Sequence, residues 1–273
     1  MTPEEFTFIA DLVRQETAVI LHPDKGFFIE TRLGPVARRE KEPGVSALIE
    51  RVRERPTPEL VKGVVEATLM PETSFFRNRA AFVALAQGPF AEIAARRGQA
   101  GLRILSAGCA TGQEAYSMAI LAEELAHRVP VEIVALDYSD RSLEKARTGL
   151  YSHFEIQRGL SIRRLLDHFT QVEDNWRASP KLRQMIDWRE MNLTEDLSGL
   201  GRFDVIACRY VLNAFLPKRA GECFERLETL LADDGVMMVG AREEATLPAS
   251  LTNLGSPGLY GRNPLFARPA KAG

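Results

Sequence analysis

Between Leu102 and Gly261 the sequence repeatedly sets a short, mainly apolar run beside an amphipathic stretch, and few architectures accommodate that alternation. A mainly apolar run suits a strand buried on both faces, and a parallel neighbour is reached only through a crossover of helical length. Candidate strands are Leu102 to Ser106, Val131 to Leu136, Met185 to Trp188, Phe203 to Cys208 and Val236 to Gly240. Crossover helices are expected near Gln113 to His127, Asp140 to Thr148 and Pro217 to Leu231, and a last strand near Gly258 to Gly261 would add an antiparallel edge. The pattern predicts an α/β fold on a mostly parallel sheet. Phe169 to Ile186 breaks the alternation; Asp174-Asn175-Trp176 and Ser179-Pro180 suggest a small antiparallel β subdomain inserted at about residues 167–188.

Ahead of the first strand the chain carries helix punctuation and no strand signal. Thr2-Pro3 followed by Glu5 is a capping box with proline at the first helical position, and Thr57-Pro58-Glu59 repeats the logic. His22-Pro23-Asp24-Lys25-Gly26 and Glu42-Pro43-Gly44 are turns between several short helices over roughly residues 2–87. An N-terminal helical domain with its linker is therefore placed at 1–88, and the sheet-bearing domain at 89–273.

A net charge of −2 supplies no field that would gather nucleic acid or an anionic membrane, so neither is expected as a partner. Cys109, Cys208 and Cys223 are widely spaced and form no C-x-x-C pair, which suggests reduced, buried thiols rather than disulfides or zinc ligands. His22, His127, His153 and His168 show no metal-ligand spacing, and no metal is expected. The acidic start, Met1 to Phe6, is unlike a signal peptide and no apolar run reaches membrane-spanning length, so a cytoplasmic protein without membrane insertion is expected; it is also expected to be a monomer.

Leu102 to Ser106 runs into Ala107-Gly108-Cys109-Ala110-Thr111-Gly112 and then a helix, a strand, glycine turn and helix in sequence. Such a turn lets backbone approach a ligand at the carboxyl edge of the sheet. The spacing is not G-x-G-x-x-G, and Glu114 sits where a pyrophosphate would be repelled. S-adenosylmethionine, with its ammonium and sulfonium, suits a nearby carboxylate better. An exposed first-turn glutamate favoured by the helix dipole is the alternative for Glu114. Asp137 ends the second apolar run, where an acid suits a ribose diol; a helix N-cap is the other possibility, although Ser139 or Asp140 could fill that role. Asn192-Leu193 follows the third strand and would meet an adenine edge and face.

Taken in order, these segments resemble the chemotaxis receptor methyltransferases of the CheR family. The resemblance rests on Leu69-Met70-Pro71-Glu72-Thr73-Ser74-Phe75-Phe76-Arg77, the SAGCATGQEAYS run at 106–117, EKARTGLY at 144–151, Asn192-Leu193, FDVIACR at 203–209 and the GVMMVG strand. It implies a Rossmann-like S-adenosylmethionine-dependent methyltransferase fold with an N-terminal helical domain and a small inserted antiparallel β subdomain. It also implies methyl transfer to glutamates on the cytoplasmic helical bundle of a chemoreceptor or similar protein, leaving S-adenosylhomocysteine. By the same resemblance Thr73 and Arg77 reach the cofactor, Glu114 its methionyl end, Asp137 the ribose, and Asn192 with Leu193 the adenine. Tyr210 and Val211, after the fourth strand, lie over the reacting centre. Arg77 is the expected orienting residue, because a guanidinium grips carboxylates bidentately; a surface helix salt bridge is the alternative.

Three positions depart from the family pattern. Tyr210 stands where asparagine is usual, Ala214 where tyrosine is usual, and Pro71 where asparagine or histidine precedes the Glu-Thr pair. Tyr210 is a candidate to supply the missing hydroxyl. A second reading, a cofactor-binding regulatory module with little or no catalysis, follows from the same departures. The segment Asp174 to Ser179 lacks the glycine insertion of relatives that dock on a receptor's C-terminal pentapeptide, so tethering through that tail is not expected. Arg32, Arg38, Arg39, Arg51, Arg53 and Arg55 could face an acidic receptor stripe, or pair locally with the interleaved Glu40, Glu42, Glu50 and Glu54.

Overall fold

The computed structural model describes residues 1–125, 129–263 and 265. The chain divides into two compact units, one holding Met1–Pro71 with Ala214–Leu216, the other Glu72–Asn213 and the chain from Pro217 onward.

The first unit contains α1 (Pro3–Thr17), α2 (Gly26–Arg39), α3 (Val45–Glu54) and α4 (Pro58–Thr68). The capping box at its start is made: the Glu5 amide donates to Thr2 Oγ1 at 3.2 Å and the Thr2 amide to Glu5 Oε2 at 2.6 Å. That Thr2 amide is the main reason the Glu5 carboxyl lies below its ordinary pKa. Thr57 caps α4 by accepting from the Leu60 amide. Ile9, Val13, Ile29, Leu33, Leu48, Ile49, Val64 and Val65 recur at helical spacing and form the buried interior. Much of the arginine cluster is paired locally, with Arg51 3.5 Å from Glu40 and 3.1 Å from Glu42, and Arg39 3.2 Å from Glu40.

In the second unit, α5 (Arg79–Gln87) and α6 (Pro89–Arg97) precede β1 (Leu102–Ala107), α7 (Gln113–Leu125), β2 (Val131–Asp137) and α8 (Asp140–Thr148). There follow β3 (Leu150–Ser152), α9 (His153–Gln157), α10 (Ile162–His168), β4 (Phe169–Val172), β5 (Asn175–Ala178), α11 (Pro180–Gln184) and β6 (Ile186–Glu190). Next come β7 (Phe203–Cys208), α12 (Pro217–Leu230), β8 (Leu231–Val239), β9 (Leu251–Asn253) and β10 (Leu259–Arg262). The helix expected to reach His127 is described to Leu125; His127 lies outside the described residues.

The main sheet has the order β6-β2-β1-β7-β8-β10-β9. Its first five strands run parallel, β10 lies antiparallel to β8, and β9 antiparallel to β10. Successive strands step outward from β1 in one direction as far as β6 and in the other from β7 onward, which leaves a crevice at the carboxyl ends of β1 and β7. The Rossmann-like expectation is met.

Three details differ from the sequence reading. The strand near Gly258 is not the edge: β9, three residues without a strand pattern, lies outside it. β8 begins at Leu231, and its register against β7 shifts between Phe203 and Val205, so Asp233-Asp234-Gly235 looks like a turn in sequence. The small sheet has the order β3-β5-β4, its first strand coming from upstream of the hairpin segment, whereas β6 joins the main sheet as the apolar run Met185 to Trp188 suggested. Leu150-Tyr151-Ser152 is too short to announce a strand, and only pairing with Arg177-Trp176-Asn175 makes it one.

The second unit begins ahead of the expected 88/89 boundary because Phe82, Leu85, Phe90 and Ile93 of α5 and α6 share their core with Leu102 and Ile104 of β1. The three cysteines are buried and unbridged. Among the described residues no helix is long and apolar enough to cross a membrane, and no group of three or more His, Cys, Asp or Glu could hold a metal ion.

Candidate functional site

Gly108 (φ +74°) and Gly112 (φ +94°) bend the chain between β1 and α7, in a backbone region that a Cβ disfavours. The amides of Gly108 and Cys109 both donate to the Leu136 carbonyl at 2.8 Å, tying the turn to β2. A Cβ on Gly108 would meet the Val211 side chain at 2.5 Å, so Val211 lies directly against the turn. A Cβ on Gly112 would sit 2.8 Å from Trp188, 2.9 Å from Ala146 and 3.0 Å from the Tyr151 hydroxyl. Glycine is needed at 112 for helix-to-sheet packing. Gly112→Ala is expected to destabilise the protein by about 2 kcal/mol or more, read as a lower denaturation midpoint.

Asp137 closes β2 with its carboxylate held on both oxygens, Oδ2 accepting from the Ala110 amide at 2.8 Å and Oδ1 from the Ser139 amide at 2.9 Å. Burial pushes its pKa up, against the opposing pull of the Ser139, Ala110 and Tyr138 amides. The N-cap of α8 is Ser139, whose hydroxyl accepts from the Ser142 amide, so Asp137 is not spent on that role. Each carboxylate oxygen accepts about two hydrogen bonds, which leaves capacity for a diol.

Glu114 is not the exposed first-turn glutamate of the alternative reading. Ser106 donates to its Oε1 at 3.0 Å and Arg209 to its Oε2 at 3.3 Å. Burial raises the Glu114 pKa, with Arg209 and Ser106 pulling the other way. The Arg209 side chain is wholly buried; it also donates to the Arg77 carbonyl at 2.5 Å, and its Nε has no hydrogen-bond partner.

Tyr210 follows with φ +62°, a conformation strained for a residue with a Cβ. What holds it is Glu243, 1% exposed. Glu243 Oε2 accepts from the amides of Tyr210 and Gly240, and Oε1 from those of Val211 and Leu212, all at 2.8 Å. The Tyr210 ring lies 4.1 Å from the Arg77 guanidinium and 5.2 Å from that of Arg209. Arg77 is outside α5 and pairs with Glu72, donating to its carbonyl at 2.5 Å and approaching its Oε2 at 3.4 Å.

Hydrogen bonds and ring contacts thus bring Gly108, Glu114, Asp137, Tyr210, Val211 and Arg77 to the carboxyl edge of β1, β2 and β7. Asn192 is linked through its neighbour, the Met191 amide donating to the Asp137 carbonyl at 3.0 Å. Its Oδ1 accepts from the amide and hydroxyl of Thr194, forming a local turn. Leu193 is buried, and its carbonyl accepts from Cys223 Sγ. Thr73 lies half-buried in the extended segment before Phe75.

The segments behind the resemblance meet in one aromatic cluster. Phe75 stacks edge-on to Tyr151 at 5.0 Å, and Tyr116 packs on Tyr151 at 5.8 Å and Trp188 at 5.5 Å. Tyr151 also donates to the Thr111 carbonyl at 2.7 Å, bracing the glycine turn from behind. Sequence reasoning left Ser106, Arg209 and Glu243 without roles. Arg209, a charge ending an apolar strand, carried a usable signal; Glu243, in an ordinary charged loop, carried none.

The donor set suits S-adenosylmethionine. Two carboxylates would match a ligand bearing two cationic centres and a diol, and the orphaned Arg209 Nε–H beside them is an unsatisfied donor suited to a carboxylate. A family model for the CheR methyltransferase SAM-binding domain matches residues 71–257. A chemotaxis protein methyltransferase of Vibrio anguillarum is 29% identical over 252 residues, 90% of this chain and 91% of the relative. A probable biofilm formation methyltransferase, WspC, of Pseudomonas aeruginosa is 34% identical over 195 residues, 70% of this chain and 46% of the relative. Among solved structures, PKMT2 from Rickettsia typhi in complex with AdoHcy aligns with a TM-score of 0.39 at 15% identity, over 63% of this chain and 26% of that one.

Proposed function

The chain belongs to the CheR methyltransferase family, with S-adenosylmethionine as its cofactor, and on that premise we propose that it methylates glutamate side chains on the cytoplasmic helical bundle of a chemoreceptor or similar protein. The observation that carries the reading is the constellation of Asp137, Glu114 and the Arg209–Tyr210–Val211 loop at the carboxyl edge of the sheet. Asp137 takes the ribose, Glu114 with Arg209 behind it the methionyl end, and Asn192 with Leu193 the adenine. Gly108, Gly112 and Val211 shape the backbone of the pocket, and Thr73 and Arg77 close on it from the segment before α5.

A glutamate acceptor is already ionised at neutral pH, so no general base is needed. When bound, S-adenosylmethionine supplies an activated methyl: the acceptor oxygen gains it as the sulfur–carbon bond breaks, the electron pair stays on sulfur, and no proton moves. Alignment and exclusion of water fall to the protein. Arg77 orients the acceptor carboxylate, and Tyr210 provides the ring that holds the Arg77 guanidinium flat. The two-residue turn Glu173-Asp174 between β4 and β5 favours recognition of the bundle itself over a terminal tether.

The test is transfer of labelled methyl from S-adenosylmethionine to a receptor cytoplasmic fragment. Base-labile label on glutamates is expected, and its absence alongside normal cofactor binding would favour the non-catalytic module suggested by Tyr210 and Ala214. A second expectation follows from burial, which raises the pKa of both Glu114 and Asp137. Binding needs their ionised forms, so acidification removes affinity earlier than exposed carboxylates would allow. Calorimetry with S-adenosylhomocysteine from about pH 8 to about pH 5 should show weakening toward the acid end; a flat profile contradicts it.

A further inference from the structure

Arg77 has a companion. Glu72 reaches Arg77 Nη2 with one carboxylate oxygen at 3.4 Å and Arg158 Nη2 with the other at 3.6 Å. Two guanidiniums from separate segments thus share one carboxylate. Arg158 arrives there by a backbone device: its neighbour Gly159 has φ +106°, and a Cβ on it would lie 1.9 Å from the Phe75 carbonyl oxygen. Only glycine lets the turn after α9 lie directly on the segment that carries Glu72 and Arg77. The Arg158 guanidinium also sits 5.8 Å from the exposed Phe154 ring.

The Glu72 carboxylate is a poor structural tie. It is 68% exposed, and both contacts are longer than a well-formed charge-assisted hydrogen bond. An exposed pair of that kind adds little stability. Arg77, 28% exposed, lies against the Tyr210 ring, and Arg158, 45% exposed, has its backbone set beside the packed glycine turn. Two guanidiniums converging on one exposed carboxylate is the arrangement expected of a binding site occupied by a substitute.

We propose that Arg77 and Arg158 together form the clamp for the methyl-accepting glutamate, and that Glu72 occupies it as an internal stand-in which the acceptor side chain displaces. The clamp rests on the reading of the chain as a glutamate methyltransferase and adds Arg158 as a specificity-determining residue. A carboxylate bridged by two guanidiniums is fixed in plane and direction, which an in-line methyl transfer requires. A glutamine in its place offers a single oxygen and no charge, so the clamp rejects it. Glu72 would also keep the two cations apart from adventitious anions until the acceptor enters.

The test separates binding from turnover. Full-length protein saturated with S-adenosylhomocysteine is titrated by calorimetry with a receptor bundle fragment bearing glutamates at its acceptor positions, and with the same fragment bearing glutamines. The native protein should prefer the glutamate form. Arg158→Gln should weaken binding of that form about tenfold, with Arg158→Lys recovering part of it, while Glu72→Gln should tighten it several-fold. Affinity for S-adenosylhomocysteine should be unchanged in all three variants. Labelled methyl transfer is measured in parallel. Carboxylate-dependent binding that follows Arg158 and Glu72 without methyl transfer would support the clamp and refute the enzymatic reading. Methyl transfer with binding indifferent to both residues, or no preference for the glutamate form in the native protein, would overturn the clamp.

Discussion

Glu243→Gln is expected to lower the unfolding free energy by about 3–5 kcal/mol, a large effect for a change of one oxygen to an amide nitrogen. Each Glu243 oxygen accepts from two backbone amides, and the residue is 1% exposed. Glutamine keeps one acceptor oxygen, so two amides would face an NH2 group that itself donates. The loop at Tyr210 to Leu212 would lose the bonds that hold Tyr210 at φ +62°, and S-adenosylhomocysteine affinity should fall with stability. Urea denaturation provides the measurement. Glu244→Gln, at an exposed neighbour, should stay within about 0.5 kcal/mol of native. A Glu243→Gln midpoint matching the control would show that the four amides are not what holds the loop.

Asp137→Ala should reduce affinity for S-adenosylhomocysteine by about 100-fold or more, since two hydroxyl hydrogen bonds to a charged acceptor are worth about 3–6 kcal/mol together. The carboxylate also holds the Ala110 and Ser139 amides, so some thermal stability should be lost without ligand. Asp137→Asn separates the two effects. It retains one amide acceptor and should recover part of the stability while still binding weakly. Calorimetry on both variants, with melting curves recorded in the absence of ligand, distinguishes them. Near-native affinity in Asp137→Ala would remove the ribose role and leave Asp137 as a brace for the glycine turn.

Glu114, Tyr210 and Tyr151 each owe their role to a partner far away in the chain. Glu114 was legible as a carboxylate beside a glycine turn, but its burial was not, because the arginine that pairs with it lies 95 residues away. Tyr210 was legible as a departure from the family pattern. Its left-handed backbone was not, because the cause is a glutamate 33 residues later in an unremarkable charged loop. Tyr151 entered only through the EKARTGLY match. The physical reason for that motif, a phenol bracing the Thr111 carbonyl inside an aromatic cluster, needed coordinates.

By itself the sequence determined what depends on near neighbours and on period: helix caps at Thr2 and Thr57, the glycine turn at 108–112, the apolar runs of the parallel strands, and an acid closing the second of them. Those features arise from local sterics and from the need to bury a continuous apolar face, both written into short windows of residues. Only the tertiary structure decided that Leu150–Ser152 and Leu251–Asn253 are strands, that Arg209 faces Glu114, that Glu243 holds the loop over Gly108, and that Arg158 meets Glu72. Each of these joins groups far apart along the chain, whose meeting depends on where the whole sheet and its crossovers place them.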